Sequence, residues 1–243
     1  MTAGAGPPVP ITAVWQALAT VRDPELDEPI TDLGFVASVD LDRTGAVTAE
    51  LRLPTYFCAP NFAFLMVADA HDALRALPGV AAARVRLIDH FAAAEITSGV
   101  AAGGGFGAAF PETAADGRDG LDDLRRTFWR KAHAACQELL AFGLLTAGSD
   151  HAELVRLRLG DLAGRVDRAG LDRLRRRRAD LGLPDGDGAP LLLGDDGTPL
   201  TAAELPIRLR IARTTRLSIE GNADWCRGLL RTRYPERSTG TAG

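Results

Sequence analysis

The chain has 243 residues, 46% of them hydrophobic and 25% charged, with a formal net charge of −4. That is ordinary for a soluble globular protein of one large or two small domains, at roughly 100–200 residues per domain. No apolar run approaches the ~20 residues that span a bilayer, and three scattered cysteines exclude a disulfide framework. The segment Met1–Pro10 lacks a basic start and is interrupted by Pro7, Pro8 and Pro10, so it does not read as a secretory signal. Together with the odd cysteine number, these features point to a reducing, cytoplasmic setting.

Apolar residues at Ile11, Val14, Trp15, Leu18 and Val21 predict a first helix, stopped at Asp23-Pro24 because the residue before proline is pushed out of the α region. Phe35–Leu41 and Val47–Leu53 partly alternate and predict two strands. Asp42-Arg43-Thr44-Gly45 joins them as a hairpin turn with glycine at a positive φ. Asn61 is expected to cap a second helix that runs to about Leu77 and ends at Pro78-Gly79. Val80–Ile88 reads as a third strand, parallel to one hairpin strand because the helix supplies the crossover. Helix, strand, strand, helix, strand describes a small α+β domain whose open sheet carries both helices on one face.

From residue 97 to 119 the composition turns to glycine and alanine, which predicts a flexible linker or arm that Phe106 and Phe110 could anchor. No Lys-Ser or Lys-Thr pair follows its glycines, so it is no phosphate-binding loop. Leu121–Leu145 predicts a long amphipathic helix with Leu121, Leu124, Phe128, Ala132, Ala135 and Leu139 on one stripe. A short element over His151–Val166 and a helix over Ala169–Leu181 follow. Pro184–Pro199 reads as an exposed loop or hairpin, Ile207–Ile211 as extended, Ser218–Arg233 as helical and Ser238–Gly243 as a loose tail. The predicted organisation is an α+β domain at 1–96, a linker at 97–119 and a mainly helical region at 120–243.

The basic side chains are almost all arginine, Lys131 being the sole lysine, and they gather in the second half, as in Leu171–Arg178. Such a run either contacts nucleic acid or an acidic partner, or forms the solvated face of a helix flanked by Asp172 and Asp180. The negative net charge counts against nucleic acid.

Cys58 carries the chemistry. It lies where a predicted strand hands over to a helix N-terminus, whose unpaired N–H groups and dipole favour a thiolate. A thiolate there ligates soft metals or acts as a nucleophile; the alternative is a buried cysteine filling space. His133 and Cys136 lie three apart and share a helix face, either as two metal ligands or as core-margin residues of a packed helix. Cys226, near Glu220, Asn222 and Asp224, is a further candidate if the fold brings it to Cys58. Asp23, Glu25 and Asp32 flank the connection into the first strand, where short acids accept backbone hydrogen bonds in turns and Gly34 takes a conformation closed to other residues. His90 reads as a core-margin or surface histidine. No catalytic triad, dinucleotide fingerprint or zinc-finger spacing is present.

Several of these segments together resemble the PaaD/SufT-type family of metal–sulfur cluster assembly factors. They are Val14–Val21 leading into Asp23-Pro24-Glu25, then Asp32-Leu33-Gly34 and the hairpin. Pro54-Thr55-Tyr56 ahead of Cys58 and Leu77-Pro78-Gly79-Val80 complete the set. The resemblance implies a small α+β fold and a non-enzymatic role, with Cys58 as the functional residue and Asp23, Glu25 and Asp32 supporting its loop. It also implies a transient iron or iron–sulfur cluster as cargo, and a client apo-metalloenzyme or cluster assembly proteins as partners. Two departures stand out: the family commonly has Cys-Pro directly, whereas Ala59 separates Cys58 from Pro60, and no cysteine-rich tail is present. The long C-terminal extension is similar to proteins accompanying bacterial multicomponent di-iron monooxygenases. An adaptor or chaperone that binds a hydroxylase subunit without metal is the alternative, and a homodimer is left open.

Overall fold

The structure, a computed structural model, describes residues 9–112 and 121–235. The expected tail Ser238–Gly243, the start of Met1–Pro10 and the end of the 97–119 stretch lie outside the described residues. The chain divides into two compact units, one of Met1–Leu121 with Asn222–Gly243 and one of Asp122–Gly221.

The first unit follows the predicted order. Helix α1 (Ile11–Leu18) is followed by β1 (Val36–Leu41), β2 (Ala46–Arg52), α2 (Pro60–Arg75) and β3 (Ala82–Ile88). The sheet order is β1-β2-β3, with β1 antiparallel and β3 parallel to β2. Along β2, Val47, Ala49 and Leu51 are buried while the residues between them are not, the period-2 signature of a sheet covered on one face. At the hairpin, Asp42 Oδ1 accepts the Thr44 and Ala46 N–H groups at 2.8 and 2.9 Å. Gly45 takes φ 83°, where a Cβ would meet the Gly79 carbonyl at 2.8 Å.

Helices α2 and α3 (Ala93–Ala102) pack on β3, and α1 packs on α2. The Leu87 N–H on the outer edge of β3 donates to Thr97 Oγ1 at 3.1 Å, so α3 occupies an edge that would otherwise invite another strand. Val14, Leu18, Ile30, Leu51, Val67, Leu74 and Ile96 form the centre of the core. Burying each such side chain contributes about 1.5–3 kcal/mol.

Three local expectations differ from what is found. Asn61 does not cap α2: the N-cap is Ala59 with Pro60 in the first turn, and Asn61 Oδ1 accepts only from Phe62 N–H. Proline is preorganised for that turn and needs no N–H partner, which makes a side-chain cap dispensable. The glycine-rich stretch expected as a linker is helical in α3 and in α4 (Gly105–Ala109), because alanine favours helix and Phe106 packs edge to face on Phe64 and tilted against Phe110. Third, Ile207–Ile211 is not extended but lies inside α8 (Leu205–Arg233). From Asn222 onward that helix belongs to the first unit, where Ala223 and Leu230 are buried in its core.

The second unit contains α5 (Leu121–Thr146, from Asp122), α6 (His151–Leu154), a 3-10 turn at Leu159–Leu162, α7 (Arg168–Leu181) and the first part of α8. Its core gathers Leu140, Leu144, Leu154, Leu159, Leu162, Leu174 and Leu191. Leu139, placed on the α5 stripe by spacing, is 39% exposed; the buried row is Ala132, Cys136, Leu140 and Leu144. The Pro184–Pro199 loop is not simply exposed, since Ala189 and Leu191–Leu193 are buried.

The reason is Arg178, which is 0% exposed. Its guanidinium donates to the carbonyls of Pro190 and Leu191, each at 2.7 Å, and of Pro184 at 3.2 Å. One arginine fork thereby supplies the donors that a loop without regular structure lacks. Arg177 is also buried and pairs with Asp180 at 2.7 Å, so the arginine run is not a wholly solvated face. Gln137 completes the arrangement, donating to Leu193 O at 3.0 Å and accepting from Leu193 N–H at 2.6 Å.

Candidate thiol site

In a parallel pair, strands end together. The β2–β3 register sets Arg52 opposite Ile88, so the segments after both strands emerge at one end of the sheet. Cys58 lies on the first of these segments and His90 on the second. The His90 ring bridges them. Ala92 N–H donates to Nδ1 at 3.2 Å, which fixes the proton on Nε2, and Nε2 donates to the Cys58 carbonyl at 2.7 Å. Burial disfavours the imidazolium and pulls the His90 pKa below 6.5; the Cys58 hydrogen bond opposes this and the Arg233 charge adds to it.

Cys58 is half-buried, one residue before the α2 N-cap, and its Sγ lies 3.1 Å from Thr55 Oγ1. A hydroxyl at that distance can donate to sulfur and hold the thiol in one orientation. Around it the surface is aromatic: Tyr56, Phe57 and Phe91 are 56%, 74% and 50% exposed. Phe91 N–H donates to Tyr56 O at 3.0 Å and its ring stacks on His90 with centroids 4.8 Å apart, so the patch is anchored rather than loose. Phe91 also lines a hollow of about 390 Å³ with Phe110, Pro111, Glu95 and Glu112.

The loop before β1 is organised by Asp23, which is buried and accepts the Glu25 and Leu26 N–H groups at 2.9 and 2.8 Å. Burial pushes its carboxyl up to about 6 against those two hydrogen bonds, with the Glu25 and Glu28 charges adding to the rise. Asp27 sits at φ 53° in this loop and pairs with Arg22 at 3.1 Å. Asp32 is exposed and accepts only from its neighbour Thr31, at 3.2 Å.

The C-terminal part of α8 lies against the same loops. Asn222 Nδ2 donates to Glu25 at 3.3 Å, and Arg227 pairs with Glu28. Arg233 donates to the carbonyls of Leu53, at 3.1 Å, and Asp89, while Tyr234 donates to the Asp89 carboxylate at 2.9 Å. Cys226 is half-buried on this segment. Its thiol is pushed up to about 11, first by burial and then by the charges of Asp23, Cys58 and Glu25. His90 and the α8 contacts were not foreseen as parts of the site. The signal for His90 was the parallel crossover, which brings the ends of the second and third strands together; nothing in the sequence announced the return of α8.

His133 and Cys136 share a face of α5, as their spacing predicts, and belong to the second unit. Both are buried there. His133 Nε2 accepts from Arg178 Nε at 3.4 Å, and burial together with that cation pulls its pKa down to about 3. A guanidinium at that nitrogen disfavours a metal ion. Among the described residues no group of three or more His, Cys, Asp or Glu is arranged to hold a metal ion.

Residues 11–86 match the family model of the iron-sulfur cluster assembly protein. The N-terminal domain is an iron–sulfur cluster assembly domain. The match spans α1 through most of β3 and includes Cys58, Thr55 and Asp23, whereas His90, α3 and all of α8 lie beyond it. The assembly domain's work is therefore in iron–sulfur cluster assembly, and the partners such work implies are cluster-assembly or client proteins. No curated protein and no solved structure matches the chain. No described helix is long and apolar enough to cross a membrane.

Proposed function

We propose that the protein is a non-catalytic maturation factor that delivers iron or an iron–sulfur cluster to an apo-metalloenzyme in the cytoplasm. The observation that carries this reading is Cys58, half-buried in an assembly domain with its sulfur beside the Thr55 hydroxyl and its carbonyl held by His90. Such a thiolate binds soft cargo, while an open coordination sphere lets the cargo leave. Cys58 acts as the transient ligand; Asp23 and Glu25 shape the loop beside it. The client is of the multicomponent di-iron monooxygenase kind that the long C-terminal extension suggested.

The exposed Tyr56, Phe57 and Phe91 favour a second reading, an adaptor that binds a hydroxylase subunit through this surface with no metal involved. Anaerobic reconstitution with iron and sulfide separates the two. The full-length protein is expected to gain cluster absorption and to pass it to an apo-acceptor, and Cys58→Ser to lose about tenfold or more in transfer while keeping its circular dichroism. Equal transfer by wild type and Cys58→Ser would remove the thiol from the mechanism.

A further inference from the structure

The second unit holds a cavity of about 210 Å³ between α5, the 192–200 segment and the first part of α8, wholly within that unit. Its apolar walls are Ala134, Leu192, Leu193, Leu200, Leu209 and Ala212. The 192–200 wall is a closed turn: Gly194 N–H donates to Thr198 O at 2.8 Å and Leu200 N–H to Leu192 O at 3.2 Å. An apolar cavity of about 150 Å³ admits a benzene ring, so this one has room for a ring and a small substituent. Gln137, which also lines it, is 6% exposed and fixed in one orientation. Its Oε1 accepts from Leu193 N–H and from Arg178, which leaves Nε2 as the donor to Leu193 O. A side-chain amide carries two N–H groups, and the second has no partner among the described residues.

The charged lining is unbalanced. Arg130, Lys131 and Arg208 stand around the cavity against Asp195 alone. Among the described residues none of the three cations is in an ion pair. Lys131 is held over the Phe128 ring at 4.6 Å. Arg208 lies within electrostatic reach of Asp196 and Glu204, but those carboxylates accept from the Thr198 and Thr201 hydroxyls, each at 2.7 Å. The geometry points to a binding site for a small organic acid, a single-ring apolar body bearing one carboxylate. The body fills the apolar walls, the free Gln137 N–H donates to a ligand oxygen, and a guanidinium fork takes the carboxylate. Apolar residues dominate the walls, which favours a carbon body over a bare phosphate. The site stands apart from Cys58 and holds whatever that thiol carries.

Calorimetric titration of the full-length protein with benzoate is expected to show saturable binding with a Kd of about 1 mM or tighter. Benzyl alcohol keeps the ring without the charge, and inorganic phosphate keeps the charge without the ring. Each is expected to bind more weakly by about tenfold or more. No saturable benzoate binding, or equal binding of either control, would overturn the site. Phenylglyoxal labelling with peptide mapping then locates it in the wild type. Benzoate is expected to protect Arg130 and Arg208 but not Arg210, which is exposed on the same helix as Arg208. Protection of neither, or of all three alike, would overturn the placement. Arg130→Ala combined with Arg208→Ala changes two exposed side chains, so the variant should keep its circular dichroism while benzoate affinity falls by about tenfold or more. Unchanged affinity would refute the cationic lining.

Discussion

His90→Phe keeps a ring beside Phe91 and removes both hydrogen bonds that tie the Cys58 loop to the end of β3. The lost contacts are the 2.7 Å bond to the Cys58 carbonyl and the 3.2 Å bond from Ala92 N–H. Each is worth about 0.5–1.5 kcal/mol, and a buried group left unpaired costs about 1–3 kcal/mol, so the variant should lose roughly 2–4 kcal/mol of local stability. His90→Ala should lose about 0.5–1.5 kcal/mol more, because the stack on Phe91 goes too. Amide hydrogen exchange at Ala92 and in the first turn of α2 measures the first effect. The labelling rate of Cys58 with a thiol reagent measures the second, and it should rise. The pH dependence adds a sign. Since burial lowers the His90 pKa from 6.5, the neutral ring contributes its full stabilisation above 6.5 and loses it as pH falls from there through the lowered folded value. The gap between wild type and His90→Phe should therefore narrow in acid. A variant within about 0.5 kcal/mol of wild type, with unchanged Cys58 labelling, would show that the histidine does not organise the site.

Asp23, held up at about 6, is favoured as the neutral acid: its stabilising contribution is full below pH 3.8 and is lost as pH rises through 6. That loss amounts to about 3 kcal/mol, so Asp23→Asn, which keeps an acceptor for the Glu25 and Leu26 N–H groups, should flatten the stability profile across this window and unfold at higher urea at neutral pH. Unchanged pH slopes in the two proteins would contradict it. In the second unit, Arg178→Met strands the Pro184, Pro190 and Leu191 carbonyls. At about 1–3 kcal/mol for each buried carbonyl left unpaired, the loop should open, seen as rapid proteolysis within 184–193, and a protease-resistant loop would refute the organising role.

The first ninety residues were legible because each element carries its own punctuation: Asp23-Pro24 after α1, the Asp42–Gly45 turn, Pro78-Gly79 after α2. Their patterns are local, and local signals survive in sequence. Cys58 could be placed before α2 for the same reason. What could not be read was set by distant partners. Arg178 looks like one more surface arginine until the loop carbonyls that surround it are known. The stretch 207–211 reads Ile-Arg-Leu-Arg-Ile, a perfect alternation for a strand, yet it lies within a helix of 29 residues whose length and tertiary contacts override the pattern. Cys226 had no meaning on its own, since its value depends on which face of α8 meets the first unit.

The return of α8 also fixes a schedule. Ala223 and Leu230 fill part of the core begun by Val14 and Leu18. On the ribosome, the core begun by Val14 and Leu18 is completed only after residue 230 has been synthesised, whereas N-terminal domains generally fold first. A nascent chain halted after residue 121 would carry Cys58 over an unfinished hydrophobic bed.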